Sequence, residues 1–350
     1  MGSGDILKIT EKLKNVNKRA LIAVAVCVVL IVVIIVFDSV RNSREYQTTA
    51  IAMGTVINLR LFGPDGKENS ELVIENINET EKALLSRNEK NSDIDRINAN
   101  PGTAVSVSAE TADIISKSVD VAKSCGGVFD ITVGEVTKLW DFGGDKQRLP
   151  TEKEITEKLS DVRYSAIKVT NTTVRIAEGQ TLDLGAVGKG AACDRVKTLL
   201  SATNTDSAVI SVGGSLLLYG KKDFNIGIVN PENDQASMGT LKLSDTFVST
   251  SGNYEKFFEQ DGKTYHHILD ATTGYPADSR LSSVTVICDS GLLSDALSTA
   301  CYILGYNQSI ELLNEYDAQA VFVFKDKTVR VTDGIKDSFT LTDESFVVAK

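Results

Sequence analysis

The residues best suited to chemistry gather in one stretch, Thr264-Tyr265-His266-His267-Ile268-Leu269-Asp270-Ala271-Thr272-Thr273-Gly274-Tyr275-Pro276. It holds both histidines of the 350-residue chain, side by side. An imidazole titrates near neutral pH and can act as a general base, a phosphate contact or a purely structural group. The pair sits where a strand-like run meets a turn of Thr-Thr-Gly-Tyr-Pro composition. Side chains alternate across a strand, so only one of two adjacent histidines should face a cleft. His267 is the choice, with His266 in the opposite phase.

Three other groups carry chemical potential. Asp295 and Thr299 are four apart near the start of a predicted helix and share a face. A carboxylate and a hydroxyl there could offer hard oxygens to Mg²⁺, or could serve only the helix dipole and a back-bonded carbonyl. Leu182-Asp183-Leu184-Gly185-Ala186-Val187-Gly188-Lys189-Gly190 is glycine-rich and leads into a helix. Its amides and Lys189 could approach a phosphate, but the spacing is neither a Walker A loop nor a dinucleotide fingerprint. Read alone, it is first a strand-to-helix turn that needs glycine. Val212-Gly213-Gly214-Ser215 reads as a bulge between strands or a place where ligand lies on backbone. The aromatics of Gly127–Gly134 and Leu139–Gly143, with the only tryptophan, Trp140, fit a core or a wall for a flat ring.

These groups need a scaffold. The composition is that of an ordinary globular protein, with 42% hydrophobic and 24% charged residues. A net charge of −10 excludes an extended nucleic-acid-binding surface. The five cysteines are scattered without a CxxC pair and read as small buried hydrophobes. Residues 1–19 form a basic tail. Residues 20–37, ALIAVAVCVVLIVVIIVF, are unbroken apolar sequence that as a helix would span roughly 27 Å, enough for a transmembrane signal anchor. The basic flank precedes the span, which places the tail in the cytoplasm and the remainder outside. Residues 38–48 read as a linker and 49–350 as one domain. Helices are expected over Asn69–Leu85, from near Ser108 to Cys125, and over Gly188–Leu200, Asp295–Gly305 and Ser309–Tyr316. Strands are expected over Met53–Leu61, Ala208–Tyr219 and Phe224–Val229, with a terminal hairpin over Ala320–Thr332. Without regular βαβ alternation, the fold class is α+β.

Taken in order, the segments carry a resemblance. Met53-Gly54-Thr55, Phe129-Asp130-Ile131-Thr132-Val133-Gly134, Leu139-Trp140-Asp141-Phe142-Gly143 and Asp183-Leu184-Gly185-Ala186-Val187-Gly188-Lys189-Gly190 come first. Val212-Gly213-Gly214, Thr250-Ser251-Gly252-Asn253-Tyr254, His267-Ile268-Leu269-Asp270 with Thr273-Gly274-Tyr275-Pro276, and Ser294-Asp295-Ala296-Leu297-Ser298-Thr299 follow. From about Thr49 onward the chain resembles the ApbE family of FAD:protein FMN transferases. The resemblance implies a single α+β domain of ApbE, T-fold-like architecture behind the anchor. It also implies a reaction: with Mg²⁺, the FAD pyrophosphate is cleaved, FMN passes to a Thr or Ser hydroxyl of a target flavoprotein, and AMP leaves. By the family pattern Asp295, Thr299 and the backbone carbonyl of Ala186 are metal ligands. Met53, Asn88, Val128, Phe129, Asp130, Asp183, Lys189 and Leu269 fall at flavin-nucleotide positions, and His267 and Asp295 at catalytic ones. The expected partners are FAD, the membrane and a target flavoprotein, such as a subunit of a membrane redox complex, with the catalytic domain extracytoplasmic.

Two departures from the family pattern matter. Asp270 is followed by Ala271 where Pro is common, which should cost the turn some rigidity. Asn88 stands where an aromatic usually covers the isoalloxazine, so the site should be wetter and water should compete with the acceptor hydroxyl. A Mg²⁺-dependent FAD pyrophosphatase and a non-catalytic flavin-binding protein are the alternatives.

Overall fold

In the computed structural model, residues 45–86 and 89–349 are described. The basic tail, the proposed anchor and Asn88 lie outside the described residues.

The backbone of the fold is a nine-stranded sheet: β1 (Glu45–Ala52), β2 (Thr55–Phe62), β3 (Ser207–Val212), β4 (Ser215–Gly220), β5 (Thr246–Gly252), β6 (Leu281–Cys288), β7 (Gln319–Phe324), β8 (Thr328–Val331) and β9 (Val347–Val348). Chain order is also spatial order. Neighbours are antiparallel up to β8, and β9 joins in parallel. Period-2 patterning explains β2: Ile57, Leu59 and Leu61 are buried while Val56, Asn58 and Arg60 face out. β6 is buried at every position, because both faces of the sheet are covered at its centre.

Helices cover one face. These are α1 (Gly66–Thr80), α2 (Ala109–Ser124), α4 (Gly188–Ser201), α5 (Gly291–Leu304) and α6 (Tyr306–Glu315), while α3 (Gly134–Trp140) packs in a separate cluster with Ile155 and Leu269. Val73, Ile77, Val196 and Leu200 from α1 and α4 meet Ile57, Leu59, Ile210 and Phe247 of the sheet. On the other face a three-stranded sheet of Phe224–Asn230, Asn233–Leu243 and Phe339–Leu341 packs against Val248, Ile287, Val321 and Val323. The mixed α+β class read from the chain is the one observed.

Several local expectations change. The stretch read as linker already contains the start of β1, at Glu45. Met53 does not lie in a strand: Met53 and Gly54 form the two-residue turn of the β1–β2 hairpin, with φ of 52° and 65°. Gly213-Gly214 is a tight hairpin turn rather than a bulge, since Val212 pairs directly with Ser215 across it. The helix expected to reach Leu85 ends at Thr80 and continues as a π-helical turn over Glu81–Leu85. The expected start of α2 is set by Ser108, whose side chain accepts from Thr111 N and caps the helix. Cys125, Cys193, Cys288 and Cys301 are buried free thiols.

Candidate active site

A cleft of about 870 Å³ opens where the hairpin turns, the α4 N-terminus and the first turns of α5 converge. Its walls include Met53, Phe129, Asp130, Asp183, Ala186, Lys189, His267, Leu269, Asp295 and Thr299. Residues up to 246 positions apart in the chain thus share one cavity, because the sheet brings the ends of its strands to one side. Val128 is the exception: it packs in the core beside the cleft, and its carbonyl accepts from Ala271 N at 2.9 Å.

Met53 enters the cleft by an unusual route. A side chain at φ of 52° is strained, and such strain persists only where the surroundings impose it. Glu81 imposes it here, its carboxylate accepting from Met53 N at 2.7 Å. The π-turn carries Glu81 to this point, and it lines the cleft itself.

Asp130 is buried, and its carboxylate is held by three protein donors. Thr132 N and Oγ1 each donate at 2.8 Å, and Tyr164 N donates at 2.6 Å. Burial pushes its carboxyl up despite these bonds. Its work is to fold the Phe129 loop against the cleft, with Phe129 itself only 4% exposed. Asp183 holds the glycine turn: Thr137 Oγ1 donates to it at 2.7 Å and Gly185 N at 2.9 Å.

The amides of that turn are largely engaged. Gly188 N donates to Leu184 O at 2.8 Å and Gly190 N donates to Asp295 Oδ2 at 2.7 Å. The picture of a bare amide cradle therefore does not hold. Lys189, which lines the cleft and makes no ion pair with a described residue, is the group left to meet a phosphate.

Asp295 is 5% exposed and has no ion-paired cation among the described residues. Ser215 Oγ donates to its second oxygen at 2.5 Å. A buried carboxylate normally needs a compensating charge. Two donors leave roughly half of its about four acceptor sites unused. One turn on, the Thr299 hydroxyl lies 3.3 Å from Ser251 Oγ. With the Ala186 backbone at the same cleft, the donor set is made of hard oxygens, which suits Mg²⁺. The described residues hold no cluster of three or more His, Cys, Asp or Glu that could bind a metal. A cation here would have a single carboxylate and would draw most of its shell from water and substrate, as Mg²⁺ commonly does.

His267 N and Nδ1 both approach Lys256 O, at 3.0 and 3.3 Å. A carbonyl only accepts, so Nδ1 carries the proton and Nε2 keeps its lone pair. Burial, helped by nearby Lys189 and Lys256, lowers the imidazole pKa to about 4. At neutral pH His267 is an uncharged acceptor on the cleft wall. His266 points the other way, is 7% exposed, and holds Ala277 O through Nε2 at 3.1 Å.

The turn after the histidines is tied to the aromatic cluster. Trp140 is fully buried, stacks on Phe142, and donates Nε1–H to Gly274 O at 2.9 Å. The absence of proline at 271 is compensated, because Ala271 supplies an amide that proline lacks to the bond with Val128 O.

Sequence reasoning missed Glu81, Thr137 and Glu255. Glu255 lines the cleft beside Lys189, its carboxyl pushed up by desolvation against the pull of Lys189 and Lys256. The only signal for these residues is three-dimensional, since none stands in a recognisable motif.

These residues make an α+β domain with a large cleft lined by glycine turns, a lysine without an ion pair among the described residues, a neutral histidine and a buried carboxylate. The ApbE family model matches residues 53–323. An FAD:protein FMN transferase of Treponema pallidum is 32% identical over 333 residues, covering 88% of this chain and 92% of its own. One of Klebsiella pneumoniae is 33% identical over 313 residues, covering 88% and 98%. The solved structure of the ApbE protein of Thermotoga maritima has a TM-score of 0.78 at 29% identity, over 84% of this chain and 99% of that one. Pseudomonas stutzeri flavinyl transferase ApbE, in its apo form, has a TM-score of 0.74 at 26% identity, over 84% and 96%. The chain belongs to the ApbE family.

Proposed function

We propose that this protein is an FAD:protein FMN transferase that uses Mg²⁺ and a Thr or Ser hydroxyl of a target flavoprotein. The observation that carries the reading is the convergence of Asp295, Thr299, Ala186, Lys189 and His267 on one cleft large enough for a dinucleotide. Family membership supports the flavin part of it.

In this reading Phe129, Leu269 and Met53 supply apolar surface to the flavin half of FAD. Lys189 pairs with the pyrophosphate. Asp295, Thr299 and the Ala186 carbonyl would hold Mg²⁺, which when bound neutralises phosphate charge and favours departure of AMP. The acceptor hydroxyl attacks the phosphorus on the FMN side, a new P–O bond forms, and the bond to the AMP phosphate breaks. The hydroxyl proton needs an acceptor, and neutral His267 Nε2 supplies a lone pair on the cleft wall. We also propose that residues 20–37 anchor the protein in a membrane with the domain on the extracytoplasmic side; the unbroken apolar run behind a basic flank supports this.

Intact mass after incubation with FAD, Mg²⁺ and a candidate flavoprotein tests the reading. A gain of one FMN on the acceptor, with AMP released, is expected. FMN and AMP without modification would replace the transferase by a pyrophosphatase, and unchanged bound FAD would leave only a flavin binder.

A further inference from the structure

The two helices that frame the cleft exchange carboxylates. Asp295, in the second turn of α5, accepts from Gly190 N in the first turn of α4 at 2.7 Å. Asp194, in the second turn of α4, accepts from Gly291 N and Leu292 N in the first turn of α5, both at 2.8 Å, and from Ser290 Oγ at 3.2 Å. Each helix therefore satisfies start-of-helix donors of the other, groups that have no partner within their own helix. Between the two exchanges the backbones touch. A Cβ on Gly190 would lie 1.9 Å from Gly291 O, and one on Gly291 would lie 2.2 Å from Gly190 O. Only glycine at both positions permits this approach.

The residue at the cap position does not by itself serve every donor at the start of α5. Ser290 already occupies the cap position of α5, and its side chain accepts from Leu293 N. Asp194 adds a second acceptor from a different helix; it is half-buried, with desolvation pushing its carboxyl up against the pull of its bonds to Gly291 N, Leu292 N and Ser290 Oγ. What it holds is the start of α5, four residues before Asp295 and eight before Thr299.

We propose that Asp194 is a positioning residue of the reaction, the counterpart of Asp295 in a reciprocal clamp that fixes where the Asp295 carboxylate and the Thr299 hydroxyl stand relative to Ala186. The inference rests on the metal-dependent reading above. If the clamp were lost, α5 could shift or rotate against α4, and the three oxygens would no longer share one point. The Asp295 carboxylate cannot hold the crossing alone, since it offers one bond to α4 where Asp194 offers three to the start of α5.

The test uses the full-length chain with FAD and Mn²⁺ as the probe cation, its binding followed by electron paramagnetic resonance below the melting temperature of every variant. Asp194→Asn keeps the side-chain volume but turns one acceptor into a donor facing amides. Its Mn²⁺ dissociation constant in the presence of FAD should rise at least tenfold, while FAD binding in chelator changes less than twofold. Ser108→Ala, which removes the cap of α2 far from the clamp, should lower the melting temperature and leave Mn²⁺ affinity unchanged. Wild-type Mn²⁺ affinity in Asp194→Asn overturns the proposal. Should that variant not fold, Ser290→Ala removes one bond to Asp194, and a severalfold weaker Mn²⁺ affinity is expected; no change overturns the proposal equally. A wild-type protein that binds FAD but no Mn²⁺ would instead remove the metal reading on which the inference stands.

Discussion

In the proposed reaction, most of the chemistry depends on Asp295. Among the described residues it is buried with no ion pair and two donors, which leaves it short of positive charge. Asp295→Asn should therefore cut metal-dependent turnover by about a hundredfold or more, the several kcal/mol expected of a charge-stabilising cation. Steady-state AMP release at saturating FAD measures this, and retained turnover would remove Asp295 from the metal shell. The histidines make a different prediction. Both are held at about 4 by burial, below the ordinary 6.5. On acidification the unfolded chain takes up these protons first, so their contribution to stability is full above pH 6.5 and is lost as pH falls through about 4. Burial raises the Asp130 and Asp194 carboxyls, so these two groups act with the opposite sign, favouring the folded chain as pH falls and losing that contribution as pH rises through their raised values. His266→Gln should then flatten the fall of melting temperature between pH 6.5 and 4; an unchanged slope would show that His266 is not held neutral. The side chains with their own chemistry were legible in the chain as letters: His267, Asp295, Thr299 and Lys189 stand in short motifs. Glu81 and Asp194 were not, because their work is to hold backbone amides that are distant in sequence.

At the scale of elements, the cleft depends on turns more than on strands. The Met53-Gly54 turn, the Gly213-Gly214 turn and the Thr272–Tyr275 turn each present backbone or side chain to it or brace the residues that do. Alternation and capping made β2 and α2 readable, since Ile57, Leu59 and Leu61 face one way and Ser108 stops the chain before a helix. Turn geometry was less so. Met53 takes a left-handed conformation because Glu81 holds its amide, and no local rule places a methionine there. Trp140 supplies a test of bracing. Trp140→Phe keeps the ring stacked on Phe142 but leaves Gly274 O without its donor. A loss of about 1–3 kcal/mol is expected, the usual cost of an unsatisfied buried polar group, readable as a lower midpoint in urea unfolding. Unchanged stability would mean the Trp140–Gly274 bond contributes nothing to the turn.

For the whole molecule, the chain order of the nine strands makes one broad sheet, with helices on one face and a small sheet on the other. The cleft lies beside the ends of strands that are far apart in sequence, which is why composition and periodicity alone gave the class of fold but not the site. The order of the motifs, compared with a known family, supplied what periodicity could not. The described residues begin with β1 at Glu45, a few positions after the apolar run in the sequence. A chain starting at Glu45 should stay in the soluble fraction with the full-length protein's FAD affinity, whereas the full chain should sediment with membranes and be released by detergent. Equal partitioning of the two would remove the anchor.

The proposed reaction requires that Ala186, Asp295 and Thr299 present their oxygens to one cation beside FAD. Diffraction from crystals soaked with FAD and Mn²⁺, collected for the manganese anomalous signal, measures this. The account predicts a single strong peak within bonding distance of the Ala186 carbonyl, the Asp295 carboxylate and the Thr299 hydroxyl, next to the two phosphates. A peak elsewhere, or FAD bound in the cleft with no peak among those three oxygens, would contradict it.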